Sequence, residues 1–127
     1  MSGITYDAGA LIAAERNSPS MWALHRRALE RGVRPTLSTA VLGQVWRGGP
    51  QPQLSRLLRG CRVDPLSESH ARSAGAALAA SGGSDLIDAA VVVTALTRED
   101  LIVTSDPRDL RAIASALGRT VELHVPG

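Results

Sequence analysis

Short runs of apolar and β-branched residues alternate along this chain with longer stretches whose apolar positions recur at helical spacing. Ile4 to Tyr6 reads as a strand feeding an Ala-rich helix from Ala8 to about Glu15. From about Ser18 to Arg31, Met21, Leu24 and Ala28 fall on one helical face, leaving Arg26, Arg27 and Glu30 for solvent, and Gly32 ends the segment. Arg34 to Leu37 predicts a short strand. Ser38 or Thr39 then caps a helix over Ala40 to Arg47, which the sequence Gly-Gly-Pro-Gln-Pro at 48–52 terminates. Pro52 to Arg59 predicts a further short helix, Arg62 to Pro65 an extended segment, and Ser67 or Ser69 the cap of an Ala-rich helix reaching about Ser81. After the break at Gly82 and Gly83, Ser84 or Asp85 opens a helix to about Glu99. Leu101 to Thr104 is strongly strand-like, Asp106 with Pro107 restarts a helix, and Thr120 to Val125 alternates as a last strand.

Strands separated by helices predict an α/β fold with a central parallel sheet of about four to five strands, covered by helices on both faces. In such sheets ligands bind outside the carboxyl ends of the strands. The residues just after each strand are therefore the ones to inspect.

Composition narrows the chemistry. With 127 residues, 44% of them apolar, the chain has the size of one domain, spanning 1–127, and can bury a core without staples. Cys61 is the only cysteine, which excludes an internal disulfide and a Cys-rich zinc module. All 14 basic residues are arginine, so Schiff-base chemistry and a Walker A phosphate loop are excluded. Only Tyr6, Trp22 and Trp46 are aromatic, too few for a surface that stacks splayed bases. No basic region leads into a long apolar stretch at the N-terminus, and no run reaches the roughly 18 apolar residues of a membrane span. A soluble, cytoplasmic protein with no membrane partner is expected.

The informative residues are acidic. Asp7 directly follows the first strand, Asp106 and Asp109 follow the Leu101 strand, and Asp85 and Asp88 occupy the start of the helix before it. In a parallel sheet Asp7 and Asp106 emerge on one rim, and a helix opening there brings Asp88 toward them. Clustered carboxylates repel, and holding them together calls for a cation; hard divalent ions such as Mg²⁺ or Mn²⁺ prefer such oxygen ligands and can activate water against a phosphodiester. Helix capping competes with this reading. Asp85 and Asp106 stand at N-cap positions, and Asp109, three residues after Asp106, approaches a capping box. Asp7 and Asp88 fit it less well, since Asp is disfavoured in strands and Asp88 lies inside its helix.

Three segments, Tyr-Asp-Ala-Gly-Ala-Leu-Ile-Ala-Ala from Tyr6, Ser-Asp-Leu-Ile-Asp-Ala-Ala-Val-Val-Val-Thr-Ala from Ser84, and Ile-Val-Thr-Ser-Asp-Pro-Arg-Asp-Leu from Ile102, resemble those of PIN-domain ribonucleases, in particular VapC toxins of VapBC toxin–antitoxin pairs. The resemblance covers essentially the whole chain. It implies a PIN-like three-layer α/β/α fold and a metal-dependent endoribonuclease in which Asp7, Asp88 and Asp106 are the catalytic, Mg²⁺- or Mn²⁺-binding acids. Asp85 and Asp109 match flanking acids, and Thr104 and Ser105 match hydroxyl positions that orient the carboxylates. The partners it implies are an RNA substrate, a VapB-like antitoxin and a second copy in a homodimer.

One position departs from the family pattern: Gln44 stands where a helix usually supplies Glu. An amide contributes no charge and cannot act as a base, so metal affinity is expected to fall. A catalytically weak or inactive PIN-fold module that binds RNA or protein is the alternative. Gln44 itself reads equally as an amide tied to backbone. Glu15 lies too far along the first helix to replace the missing acid. Arg47, Arg56, Arg59 and Arg108 are candidate RNA contacts, with a solvated helix face as the competing explanation. Trp22, Met21, Leu24 and Leu29 with Leu54, Leu57 and Leu58 form either core or an apolar groove for a partner helix, and packing is favoured for Trp46. His25, His70 and His124 have no metal-ligand spacing and are expected at the surface.

Overall fold

The computed structural model describes residues 3–126, so Met1, Ser2 and Gly127 of the expected 1–127 span lie outside it. Five parallel strands, β1 (Ile4–Tyr6), β2 (Thr36–Ser38), β3 (Arg62–Asp64), β4 (Leu101–Val103) and β5 (Leu123–His124), form a sheet in the order β3-β2-β1-β4-β5. Seven helices flank them: α1 (Ala8–Glu15), α2 (Pro19–Glu30), α3 (Thr39–Val45), α4 (Pro52–Arg59), α5 (Glu68–Ser81), α6 (Leu86–Arg98) and α7 (Pro107–Ala116). The strand order reverses at β1, the position at which an open α/β sheet places its ligand crevice.

Side chains alternate across the sheet. Register pairs Tyr6 with Val103 and Thr5 with both Thr36 and Ile102, so Tyr6 and Val103 share one face and Thr5, Thr36 and Ile102 the other. The first face packs against the layer of α1 to α4, since the Tyr6 hydroxyl lies 2.8 Å from Nδ1 of His25 on α2. The second packs against α5, α6 and α7, which also contact one another. Leu11, Met21, Leu37, Leu54, Leu57, Ile102 and Leu110 are fully or almost fully buried and continuous in one core.

The element boundaries follow local chemistry. Ser18, Ser38 and Ser67 each accept a backbone N–H at a helix start, and Gly82 ends α5 in the left-handed conformation that favours glycine. The last strand is Leu123–His124 rather than the expected Thr120 to Val125, and two further ranges shift. β2 begins at Thr36 rather than Arg34, because Pro35 has no N–H to offer the ladder, although its carbonyl accepts from Arg62 N at 2.8 Å. α3 ends at Val45, where the Arg47 guanidinium donates to the carbonyls of Gln44 and Trp46. Among the described residues no single helix is long and apolar enough to cross a membrane.

Expectations for three residues, His25, His70 and Trp46, need correction. His25 is buried, not at the surface: it bonds Tyr6 and meets the Trp22 ring edge-on at 5.8 Å between centroids. His70 is half-buried, its Nε2 3.0 Å from the Ala90 carbonyl and 2.9 Å from Thr94 Oγ1, while His124 is exposed as expected. The apolar stripe divides: Met21, Leu24, Leu54 and Leu57 are core, whereas Trp22 and Leu29 line an open groove of about 790 Å³ between α2 and α4, with Arg56 stacked 4.0 Å over the Trp22 ring. Trp46, expected in core or interface packing, is 43% exposed, which excludes the core. Burial pushes the Cys61 thiol up to about 12, so it is an inert packing residue. Replacing Tyr6 by Phe leaves a buried imidazole nitrogen without its partner and is expected to lower stability by about 1–3 kcal/mol in urea unfolding; an unchanged midpoint would show that the bond carries no weight.

Candidate metal centre

Parallel pairing of β1 with β4 brings two strand ends side by side, so Asp7 follows Tyr6 next to Thr104, which follows Val103. The Asp7 amide donates to the Val103 carbonyl at 3.0 Å. Its carboxylate is 7% exposed and held at both oxygens: Oδ1 accepts from Ala8 N at 2.8 Å, and Oδ2 accepts from Thr104 Oγ1 at 2.8 Å. Thr104 Oγ1 in turn accepts from Asp106 N at 3.0 Å. One hydroxyl therefore fixes both the first carboxylate and the turn that carries Asp106. Ser105, expected to act like Thr104, makes no carboxylate bond; it sits against Gly9, where any Cβ would come within 2.7 Å of Ser105 Cβ. Gly9, which sequence reasoning did not single out, lets the start of α1 and the Thr104–Asp106 turn approach.

The capping explanation separates the acids. Asp85 is a genuine N-cap, its Oδ1 accepting from Ile87 N at 2.9 Å and Asp88 N at 3.0 Å. Asp106 occupies the N-cap position of α7, but its side chain makes no capping bond, while its own amide donates to Thr104 Oγ1. No capping box forms with Asp109, which stands exposed in the first turn of α7. The Asp106 and Asp109 carboxylates are thus uncommitted.

The five aspartates lie close enough to act on one another. Burial raises the Asp7 carboxyl above its usual range, its two hydrogen bonds oppose the rise, and Asp85 and Asp106 add to it. Asp88, on the first turn of α6, is pushed up to about 6 by burial and then by Asp85, Asp7, Asp109 and Asp106 in that order. No positive side chain offsets this field in either case. Among the described residues no group of three acidic, histidine or cysteine side chains stands arranged so that it could hold a metal ion. The donors the rim offers are all carboxylate oxygens, the ligand type that hard divalent cations prefer.

Gln44 is half-buried on α3, and its backbone carbonyl receives the Arg47 guanidinium, so Arg47 serves as a helix C-cap. Glu15 accepts from Gln51 Nε2 at 2.9 Å and anchors the α3–α4 loop, as Gln51 also donates to the Val45 carbonyl. Arg56 and Arg59 line the α2–α4 groove, and Arg108 is exposed beside Asp106 and Asp109. Asp100 is a structural acid, bonded to Thr5 and Arg98.

This architecture matches solved structures along nearly its full length. A chain of VapBC from Salmonella typhimurium, solved bound to DNA, is 17% identical with a TM-score of 0.68, each chain covered over 100%. VapBC2 from Rickettsia felis, bound to a fragment of its promoter DNA, gives 14% identity and a TM-score of 0.70, over 96% of this chain and 97% of that one. The fold is PIN-like. A third similar structure, PAE2754 from Pyrobaculum aerophilum, is 17% identical with a TM-score of 0.64, over 98% of this chain and 90% of that one. No family model matches the sequence, and no curated protein does. The PIN-like, three-layer α/β/α architecture expected from the motifs is therefore the observed one, at identities that speak to fold alone.

The acid cluster has a consequence for stability. Asp88 holds its proton to about pH 6 when folded and to about 4 when unfolded, so the folded state binds more protons in that window and loses stability as pH rises through it. Asp88→Asn is expected to stabilise the metal-free protein by on the order of 1 kcal/mol at neutral pH, a figure reduced because half the group meets solvent, and by nothing near pH 4. Thermal melts in chelator test this; equal gains at both pH values would remove the repulsion account.

Proposed function

We propose that this protein is a metal-dependent endoribonuclease resembling VapC toxins, which hydrolyses RNA phosphodiesters at the acidic rim. The observation that carries the reading is the bridging Thr104 hydroxyl, which locks buried Asp7 and holds the amide of Asp106, whose carboxylate is uncommitted, within a cluster of like charges that lacks a counter-charge. Asp7, Asp88 and Asp106 would hold Mg²⁺ or Mn²⁺. Asp109 and the Asp85 oxygen not used in capping would assist. The bound ion would supply charge neutralisation at the phosphate and a lowered pKa for the attacking water. Thr104 keeps Asp7 ionised and aimed by donating to it, and Arg108, beside the acids, positions a phosphate. Arg56 and Arg59 enter the reading from the groove, where they would meet RNA or a partner, while Arg47 would contribute while also capping α3.

The proposed partner is an antitoxin of VapB type seated on the α2–α4 groove, whose floor is apolar at Trp22 and Leu29. That similar chains were solved within VapBC assemblies supports a partner of this type; a homodimeric, cytoplasmic toxin belongs to the same proposal. Gln44 sustains a second reading, a weak or inactive module, because an amide takes the usual acid's place and the rim carries one negative charge fewer.

Purified protein is expected to cleave single-stranded cellular RNA with Mg²⁺ or Mn²⁺ and to stop on chelation, with Asp7→Asn and Asp106→Asn losing more than about a hundredfold. Metal binding by calorimetry without any cleavage would favour the module, and neither binding nor cleavage would remove the nuclease reading. Gln44→Glu is expected to tighten metal binding roughly tenfold if that side chain faces the rim; unchanged affinity would place it outside.

A further inference from the structure

The groove between α2 and α4 has a polar feature on its apolar floor. The Tyr6 hydroxyl lies 2.8 Å from His25 Nδ1, and Tyr6 is fully buried with no other side-chain partner among the described residues. Its hydroxyl hydrogen therefore goes to Nδ1, and the imidazole carries its own hydrogen on Nε2. Burial and then Arg56 lower the His25 pKa, which favours this neutral form.

Nε2 is unspent. It makes no hydrogen bond among the described residues, and His25 lines the groove. Unlike the Thr36 hydroxyl and the Gln53 side-chain carbonyl, which are sealed within the fold, it is not closed off from solvent.

Gly60 keeps the space beside that nitrogen open. It ends α4 at φ −91° and ψ −1°, a conformation that any residue adopts, so the backbone does not call for glycine. A Cβ at this position would stand 2.9 Å from Nε2 and 3.0 Å from Leu29 Cδ1. The missing side chain thus leaves a notch at hydrogen-bond distance from an N–H donor.

The groove around the notch selects the charge of the acceptor. Arg26, Arg56 and Arg59 line it against Glu30, and none of the four enters an ion pair among the described residues. An anionic acceptor is favoured there. Trp22 and the 42% exposed Leu29 supply apolar surface on either side. The Trp22 indole N–H is spent on the Ala14 carbonyl at 3.0 Å and Arg56 lies 4.0 Å over the ring, so a nucleic-acid base finds its stacking place taken. A carboxylate carried between apolar side chains meets both requirements.

We propose that the α2–α4 groove selects a polypeptide segment presenting one Asp or Glu side chain between apolar ones, its carboxylate accepting from His25 Nε2–H in the Gly60 notch. This selectivity rests on the reading of the groove as the antitoxin seat and gives the residue type which that seat requires.

A randomised peptide display library selected on the full-length protein is expected to yield sequences sharing one acidic residue flanked by apolar ones. In calorimetry with a synthetic peptide of the enriched sequence, replacing that acid by its amide should weaken binding about tenfold, the loss of one charge-assisted hydrogen bond. Against Gly60→Ala, whose added methyl fills the notch and leaves the Tyr6 bond in place, the acid and amide peptides should bind equally. The change in the peptide leaves the protein unaltered, so that comparison decides even if Gly60→Ala melts lower. Enriched apolar peptides without an acid, or equal binding of acid and amide peptides to the wild type, would overturn the carboxylate assignment and leave the antitoxin seat standing. No enriched peptide, or displacement of the peptide by a single-stranded oligoribonucleotide, would overturn both.

Discussion

The Thr104 hydroxyl, donating to Asp7 and accepting from the Asp106 amide, is the constraint on which the acidic rim depends. A carboxylate at 7% exposure pays heavily for desolvation unless hydrogen bonds favour its charged form. Thr104 and Ala8 provide those bonds from opposite sides. Both donors arrive there because β1 and β4 pair in parallel with Tyr6 opposite Val103, and because Gly9 lets α1 start flush against the following turn. Backbone pairing, one glycine and one hydroxyl therefore convert two distant sequence segments into one edge. The remaining acids arrive by helix starts at that same edge and bear the resulting repulsion.

Repulsion of this kind is a form of stored instability. Asp88 takes the largest share because its neighbours are all acids while its own position on α6 is only half-buried. Structural acids elsewhere in the molecule show the contrast. Asp100, almost fully buried, accepts from Thr5 and Arg98 and so has its charge compensated within the fold. The rim aspartates have no arginine of their own, although the chain carries 14. Functional sites commonly break the local rule that the rest of the fold obeys.

Much of the fold was legible because it depends on short-range pattern. Ser18, Ser67 and Asp85 announced their helices, and Leu101 to Val103 announced its strand, from residues within one turn of the signal. The rim was legible as well, since an aspartate following a strand in a parallel sheet has only one edge to occupy. What escaped depends on contacts distant in sequence. His25 sits among arginines in the chain and reads as a surface residue, yet its partner Tyr6 lies in another layer. Gly9 looks like an ordinary helical residue until the Ser105 turn is laid against it. Asp106 matched a capping pattern, yet its carboxylate accepts no backbone N–H at the start of α7, an orientation that spacing alone does not resolve.

The absence of lysine, together with the burial of Cys61, makes the surface chemically quiet. Reagents that target side-chain amines find none, and thiol-directed probes meet a sulfur sealed beneath α4 whose thiolate form is inaccessible at neutral pH. A single lysine or cysteine introduced at the groove or the rim would consequently be unique, so a crosslink, fluorophore or spin label placed there reports on that location without background from the rest of the chain.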